Sequence, residues 1–324
     1  MKIKVLAAAL ASLLLSASLV QAGEPLTLRV ADQKGNMRAQ LEAANALQDL
    51  PYRIHWAEFP AAAPLAEALN AGAVDAGIIG DAPLLFAIAA GAKVKAIAVN
   101  KSNPYGTALV VKNASPLRSA ADLKGKRIAT GRGSIGHFVA LKALGQAGLT
   151  AKDVEFRFLG PVDAKMALAN GSVDAWSTWE PYTALAETAD DSRVLISGQG
   201  LWAGNSFIAA TDAALADPAR REALQDYLQR LNGAQQWAYA HVDDYAKTLA
   251  QIIGFPEQAA KLSFSRRAQH WQALDEATLH QQQETADFYH AHGLLPKRLE
   301  VGPTVDRGFS VEAAKAPLSA AAQR

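Results

Sequence analysis

Two glycine-centred loops carry side chains able to hold a small anion. Gln33 and Asn36 flank Lys34-Gly35, and Arg132, Ser134 and His137 surround Gly133. Amide, hydroxyl and imidazole groups can donate hydrogen bonds to an oxyanion, and a guanidinium adds charge. Glycine lets backbone approach a ligand closely. Where such a loop runs into a helix, the unpaired amides of the first turn bring a partial positive charge to the same place. A third segment, 176–182, holds Trp176, Thr178, Trp179 and Tyr182. Trp176 lies within a strand pattern and reads as core, whereas Trp179 follows the strand end and can wall a pocket. Asp81 and Glu180 stand just before Pro83 and Pro181, which open helices. Helix capping is the ordinary role of such carboxylates; binding a cationic group on a ligand is the alternative. Together the loops suit a small molecule with a compact anionic head and an organic tail.

Other chemistries find less support. Ser134 lacks the G-x-S-x-G elbow of a hydrolase nucleophile, because Arg132 occupies the first glycine position. Gly131 to Gly136 spells G-x-G-x-x-G, but the next strand ends in Phe158-Leu159-Gly160, with no carboxylate for a ribose. No Walker sequence occurs. Cysteine is absent, which removes disulfides, thiol catalysis and Cys-based metal sites. His280, His290 and His292 cluster near the C-terminus without a metal-helix spacing. No cofactor or metal is expected.

The elements that must position these loops are legible as alternating strands and helices. Strand patterns fall at 26–31, 52–57, 74–79, 94–99, 107–111, 126–130, 154–159, 173–176 and 207–210. Helical patterns fall between them at 37–50, 64–71, 138–146 and 163–169 and after Pro83, then dominate from 217 onward. This predicts open α/β sheets with ligands beyond the carboxyl ends of the strands. Residues 68–76 and 167–175 agree at six of nine positions, ending in Val-Asp-Ala each time. Two related lobes follow: 23–111 with 207–310 as lobe I, and 112–206 as lobe II. Two chain crossings would form a hinge and leave a cleft. The helical C-terminal part is expected to pack back on lobe I, and the Ala-rich residues 311–324 to form a disordered tail. The 324 residues carry 32 basic and 31 acidic side chains, and no basic stripe points to nucleic acid. Lys2 and Lys4, an apolar run at 5–19 and small residues before Gly23 read as a secretory signal cleaved after Ala22.

The ordered set of segments resembles a known family. Gln33-Lys34-Gly35, Trp56-Ala57-Glu58-Phe59-Pro60-Ala61 and Ala68-Leu69-Asn70-Ala71-Gly72 come first. Gly80-Asp81-Ala82-Pro83, Val173-Asp174-Ala175-Trp176 and Trp179-Glu180-Pro181-Tyr182 follow, with Leu295-Pro296-Lys297 near the end. The sequence is similar to the aliphatic-sulfonate-binding proteins of ABC importers. That resemblance implies a two-lobed type II periplasmic-binding-protein fold in the periplasm, acting as a monomer and not as an enzyme. It also implies delivery of a small organic anion to an inner-membrane ABC permease with its cytoplasmic ATPase. Family binding positions fall here on Gln33, Asn36, Asp81, Ser134, the backbone of Ile135, Trp179 and Glu180. Arginine at 132 stands where relatives often carry lysine.

Overall fold

The structure is a computed structural model and describes residues 25–312. The predicted signal segment and residues 313–324 lie outside that range. Two mixed sheets form the frame. The first takes β1 (Thr27–Gln33), β2 (Arg53–Phe59), β3 (Ala76–Gly80), β4 (Val94–Lys101), β10 (Asn205–Thr211) and β11 (His270–Gln272), in the order β11-β4-β10-β3-β1-β2. The second takes β5 (Ala108–Lys112), β6 (Arg127–Thr130), β7 (Glu155–Phe158), β8 (Ala175–Thr178) and β9 (Ser192–Ser197), in the order β7-β6-β8-β5-β9.

The sheets share one plan. In each, a central strand pairs in parallel with two neighbours, β1 with β2 and β3, and β6 with β7 and β8. In each, an antiparallel strand then closes on the third: β10 on β3, and β5 on β8. The repeated Val-Asp-Ala has a structural job. Asp75 accepts from Arg29 N (2.8 Å) and Nε (3.2 Å), while Asp174 accepts from Arg127 N (2.8 Å) and Nε (3.0 Å). Each arginine also reaches the carbonyl of the preceding turn glycine, Gly72 or Gly171. The same brace therefore pins the third strand to the first in both halves.

Helices cover the sheets: α1 (Arg38–Ala43), α2 (Ala62–Asn70), α3 (Asp81–Ala89), α4 (Ile135–Gln146), α5 (Pro161–Ala169) and α6 (Tyr182–Ala189). The C-terminal part adds α7 (Asp212–Ala216), α8 (Pro218–Ala240), α9 (Val242–Ile253), α10 (Glu257–Ser265) and α11 (Glu276–Ala291). Local signals set the ends. Asp217 accepts from the Ala219 and Arg220 amides ahead of Pro218, and Gly254 ends α9 at φ +68°. The apolar stripe Tyr245, Leu249 and Ile253 buries one face of α9.

Four expectations need correction. The helix expected over 37–50 stops at Ala43, because Asn45 turns left-handed (φ +57°) and Ala46 N closes on Leu41 O. Strand 108–112 belongs to the second sheet, so the first crossing lies between Lys101 and Ala108 rather than near 112. The C-terminal segment does not rest on the first half alone. Tyr289 and Leu295 are buried with Phe138 and Leu144 of α4, and the Phe138 and Phe288 rings meet edge-on at 5.1 Å. Val311 is no tail residue; it is buried in the first core, and its carbonyl accepts from Asn232 Nδ2.

Candidate functional site

Between the sheets lies a cleft of about 910 Å³, its solvent-open mouth included. The carboxyl-end loops of β1, β3, β6 and β8 all reach it, through Gln33 and Asn36, Gly80, Ser134 and Ile135, and Trp179 and Glu180. Both crossings line it too, through Asn103 and Thr107 on one side and Trp202 and Ser206 on the other.

Ser134 is the N-cap of α4, its Oγ accepting from His137 N at 3.2 Å. The preceding Gly133 sits at φ +69°, where a Cβ would come within 3.0 Å of the Phe86 ring, so only glycine closes the turn there. Ile135 begins the helix at the cleft wall. Trp179 is buried, yet its Nε1 meets no acceptor among the described residues. A buried indole N–H without a partner is costly, so this donor is available to a ligand.

Three predicted site residues do not line the cleft. Asp81 is fully buried in the first turn of α3. Its Oδ1 accepts from Ala82 N (2.6 Å) and its Oδ2 from Trp202 Nε1 (2.6 Å), tying α3 to the second crossing. Burial pushes its pKa up to about 7, against the pull of those two donors. His137 packs edge-on against Phe156 and Phe158, and its Nδ1 accepts from Gly133 N at 3.3 Å. Burial, with the nearby Arg132 charge, pushes its pKa down to about 4, so the ring stays neutral. Arg132 is exposed and lies over the Phe158 ring at 3.8 Å.

Glu180 does line the cleft, but its carboxylate is engaged. Oε1 accepts from Arg266 Nε and Oε2 from Ala184 N (3.0 Å). Burial pushes its pKa up, and Arg266 draws it back. Gly106 leaves the necessary room; a Cβ there would lie 2.2 Å from Glu180 Oε1. Neither acidic candidate is thus free to take a ligand amine.

The first loop is arranged differently from the expectation of exposed amides. Buried Asp32 accepts from Gln33 N (2.8 Å), Met37 N (3.0 Å) and Arg38 N (2.8 Å), and Glu58 Oε2 accepts from Gly35 N (3.3 Å). The amide field at α1 is consumed within the protein. What this loop offers the cleft is the Gln33, Lys34 and Asn36 side chains.

Helices α9 and α10 also contribute to the site, which loop composition alone does not show. Tyr245, Leu249, Ser263, Phe264 and Arg267 form one wall. Arg266 crosses to the other half, pairing with Glu180 and with Glu187 Oε2 at 2.5 Å. The sign that was available is Pro256-Glu257, a helix-opening pair before an apolar-spaced segment. Among the described residues no three His, Asp or Glu side chains gather closely enough to hold a metal.

Comparison with known proteins agrees with this geometry. The family described as "ABC transporter, phosphonate, periplasmic substrate-binding protein" matches residues 48–257. An aliphatic sulfonates-binding protein of Escherichia coli K12 is 33% identical over 300 residues, covering 90% of this chain and 93% of its own length. The solved alkanesulfonate-binding protein of Xanthomonas axonopodis pv. citri, bound to MOPS, is 36% identical with a TM-score of 0.81, over 88% of this chain and 100% of that one. The solved periplasmic aliphatic sulphonate binding protein of Escherichia coli gives 30% and 0.79, over 90% and 96%. With two like-plan lobes, a cleft at their strand ends and these relatives, the chain belongs to the substrate-binding proteins of ABC transporters, in the family of aliphatic sulfonate-binding proteins.

Proposed function

We propose that this protein captures a small organosulfonate anion in the interlobe cleft and delivers it to an inner-membrane ABC permease with a cytoplasmic ATPase. It works as a monomer in the periplasm, exported by the segment cleaved after Ala22. The observation that carries the reading is the buried, unpartnered Nε1 of Trp179 beside the capped start of α4. That donor has no acceptor among the described residues, whereas the nearby carboxylates are already paired. Ser134, Ile135, Gln33 and Asn36 complete the polar wall, and Ala62, Pro83 and Leu249 add apolar surface for an organic tail. Each hydrogen bond to a charged head contributes roughly 1.5–3 kcal/mol, so three or four suffice for micromolar affinity once ordering costs are met.

Binding rather than turnover also fits the Ser134–His137 arrangement. The serine hydroxyl caps a backbone amide and the imidazole Nδ1 is turned to Gly133 N, so no base is poised on a nucleophile. A thermal-shift screen of alkanesulfonates, taurine, sulfate esters, methylphosphonate, nitrate and sulfate tests the reading, with mass spectrometry of the recovered ligand. Alkanesulfonates are expected to raise Tm the most and to be recovered intact. Stabilisation by another of these anions, with none from an organosulfonate, refutes it.

A further inference from the structure

Arg267 stands in the short segment between α10 and β11, and its side chain lines the cleft. The backbone around it is fixed on both sides. Its carbonyl accepts from Asn103 N at 2.6 Å, its own N–H reaches Phe264 O at 3.2 Å, and Gln269 N donates to Tyr239 Oη at 2.6 Å. Between these anchors Ala268 is held at φ +45°, a strained conformation for a residue with a Cβ. The chain is thus locked where it presents the arginine.

The guanidinium so presented has no ion pair and makes no hydrogen bond among the described residues. The other arginines near the cleft are engaged, and Lys34, which also lines it, offers a point charge without a fork. Arg266 is paired with Glu180 and Glu187, Lys34 lies 5.3 Å from the Phe255 ring centre, and Arg132 covers Phe158. Glu180, whose negative charge acts on Arg267, already serves Arg266. Burial lowers the Arg267 pKa, as it does for a cation lacking a close counter-charge, but an arginine stays protonated throughout the working pH range. Arg267 is half-buried, so its guanidinium is reachable from the cleft yet only partly solvated, and an anion entering there supplies the partner it lacks. The guanidinium fork also matches an oxyanion with two oxygens side by side.

We infer that Arg267 is the counter-charge of the bound head group, held unpaired in the protein so that the cleft selects an anionic head over a neutral one of the same shape. This assignment rests on the organosulfonate reading and adds a specificity-determining residue to it. The test compares hexane-1-sulfonate with hexane-1-sulfonamide, its neutral counterpart, by isothermal titration calorimetry of the mature protein, Arg267→Gln and Arg267→Lys. The wild type should prefer the sulfonate at least 100-fold. Arg267→Gln should weaken sulfonate binding at least 30-fold and sulfonamide binding less than threefold, with the Tm of the ligand-free protein unchanged or higher. Arg267→Lys keeps the charge without the fork and covers the case in which glutamine fails to fold. It should lose at least fivefold toward the sulfonate alone.

A glutamine variant within threefold of wild type for the sulfonate overturns the assignment. So does equal loss of both probes in either variant, which would mark a structural role, or a lysine variant that loses neither. A wild type that binds the two probes within tenfold of each other overturns it while leaving the organosulfonate reading intact. A wild type that binds no organosulfonate refutes that reading, and the assignment with it.

Discussion

His137 shows how a residue with binding chemistry can be spent on the loop that does the binding. It sits three residues after Ser134, where its amide satisfies the cap and its ring accepts from Gly133, and two phenylalanines hold the ring in place. Its folded pKa is depressed to about 4 from 6.5. Between those values the unfolded chain takes up a proton that the native state refuses, so this stabilisation is complete above pH 6.5 and lost as pH falls toward 4. The size is about 3 kcal/mol. Asp81 acts in the opposite sense. Raised to about 7 from 3.8, it holds a proton when folded that the unfolded chain has released, so its contribution falls as pH rises from about 4 to 7. The wild-type profile mixes the two, and His137→Gln separates them. Urea unfolding at pH 4.5 and 7 should show the wild type gaining 2–3 kcal/mol on the variant over that interval; parallel profiles would place the imidazole in water. At this scale the sequence marked the right loops but not the direction of each side chain. Ser134, Trp179 and Glu180 line the cleft. Arg132 and His137 share their loop and turn instead to Phe158, because neither neighbouring aromatic strand residue is visible from loop composition alone.

Among the elements, the ones written in periodic patterns were legible and the ones held by tertiary partners were not. The 68–76 and 167–175 repeat disclosed matching strand–turn units, and the Arg29–Asp75 and Arg127–Asp174 braces explain why Val-Asp-Ala recurs. By contrast α10 is short and nothing in its pattern shows which half it meets, and β11 exists by pairing with β4. Yet α10 brings Arg266 across to α6, where it meets Glu187 and the loop carboxylate Glu180. The two ends of this bridge differ in burial, so they should differ in cost. Glu180 is buried, and Arg266→Met would strand its charge, a loss of about 3–5 kcal/mol. Glu187 is half-buried, and Glu187→Gln keeps a hydrogen-bond acceptor, so the loss should stay near or below 1 kcal/mol. Denaturant titration of the two variants checks the ranking; equal losses would mean that Glu180 is not the partner that matters. Arg266→Met should also broaden the cleft, seen as a larger radius of gyration in solution scattering.

For the whole molecule, the two halves are joined on one side by packed aromatic rings and met on the other by a small apolar cluster (Ala184, Leu185 and Ala259), the edge-on Tyr182 and Phe255 rings, and polar contacts. Phe138, Phe288 and Tyr289 form the first, with Tyr289 Oη donating to Ser134 O at 3.3 Å. The second includes Tyr182 Oη, at the start of α6, donating to Pro60 O at 2.9 Å across the cleft mouth. A cleft that closes by pivoting on the packed side makes or breaks the polar side. The Tyr182 ring packs edge-on against the cleft-lining Trp179 at 6.1 Å, and Tyr182→Phe keeps that ring, so only the hydroxyl's bond to Pro60 is removed. Pro60 is exposed, so water replaces the lost donor in Tyr182→Phe and no orphaned acceptor complicates the change. Removing one such bond costs about 1 kcal/mol of the closed form. If ligand is held only in the closed form and the open form predominates before binding, apparent affinity falls by the same factor, about fivefold. Calorimetry with hexane-1-sulfonate measures that factor, and scattering with and without ligand measures closure. A fivefold weaker Tyr182→Phe whose ligand-bound radius of gyration matches wild type places the bond on the moving interface. An affinity identical to wild type would show that closure does not draw on this contact, leaving the Arg266 bridge and the packed rings to set the working separation of the halves.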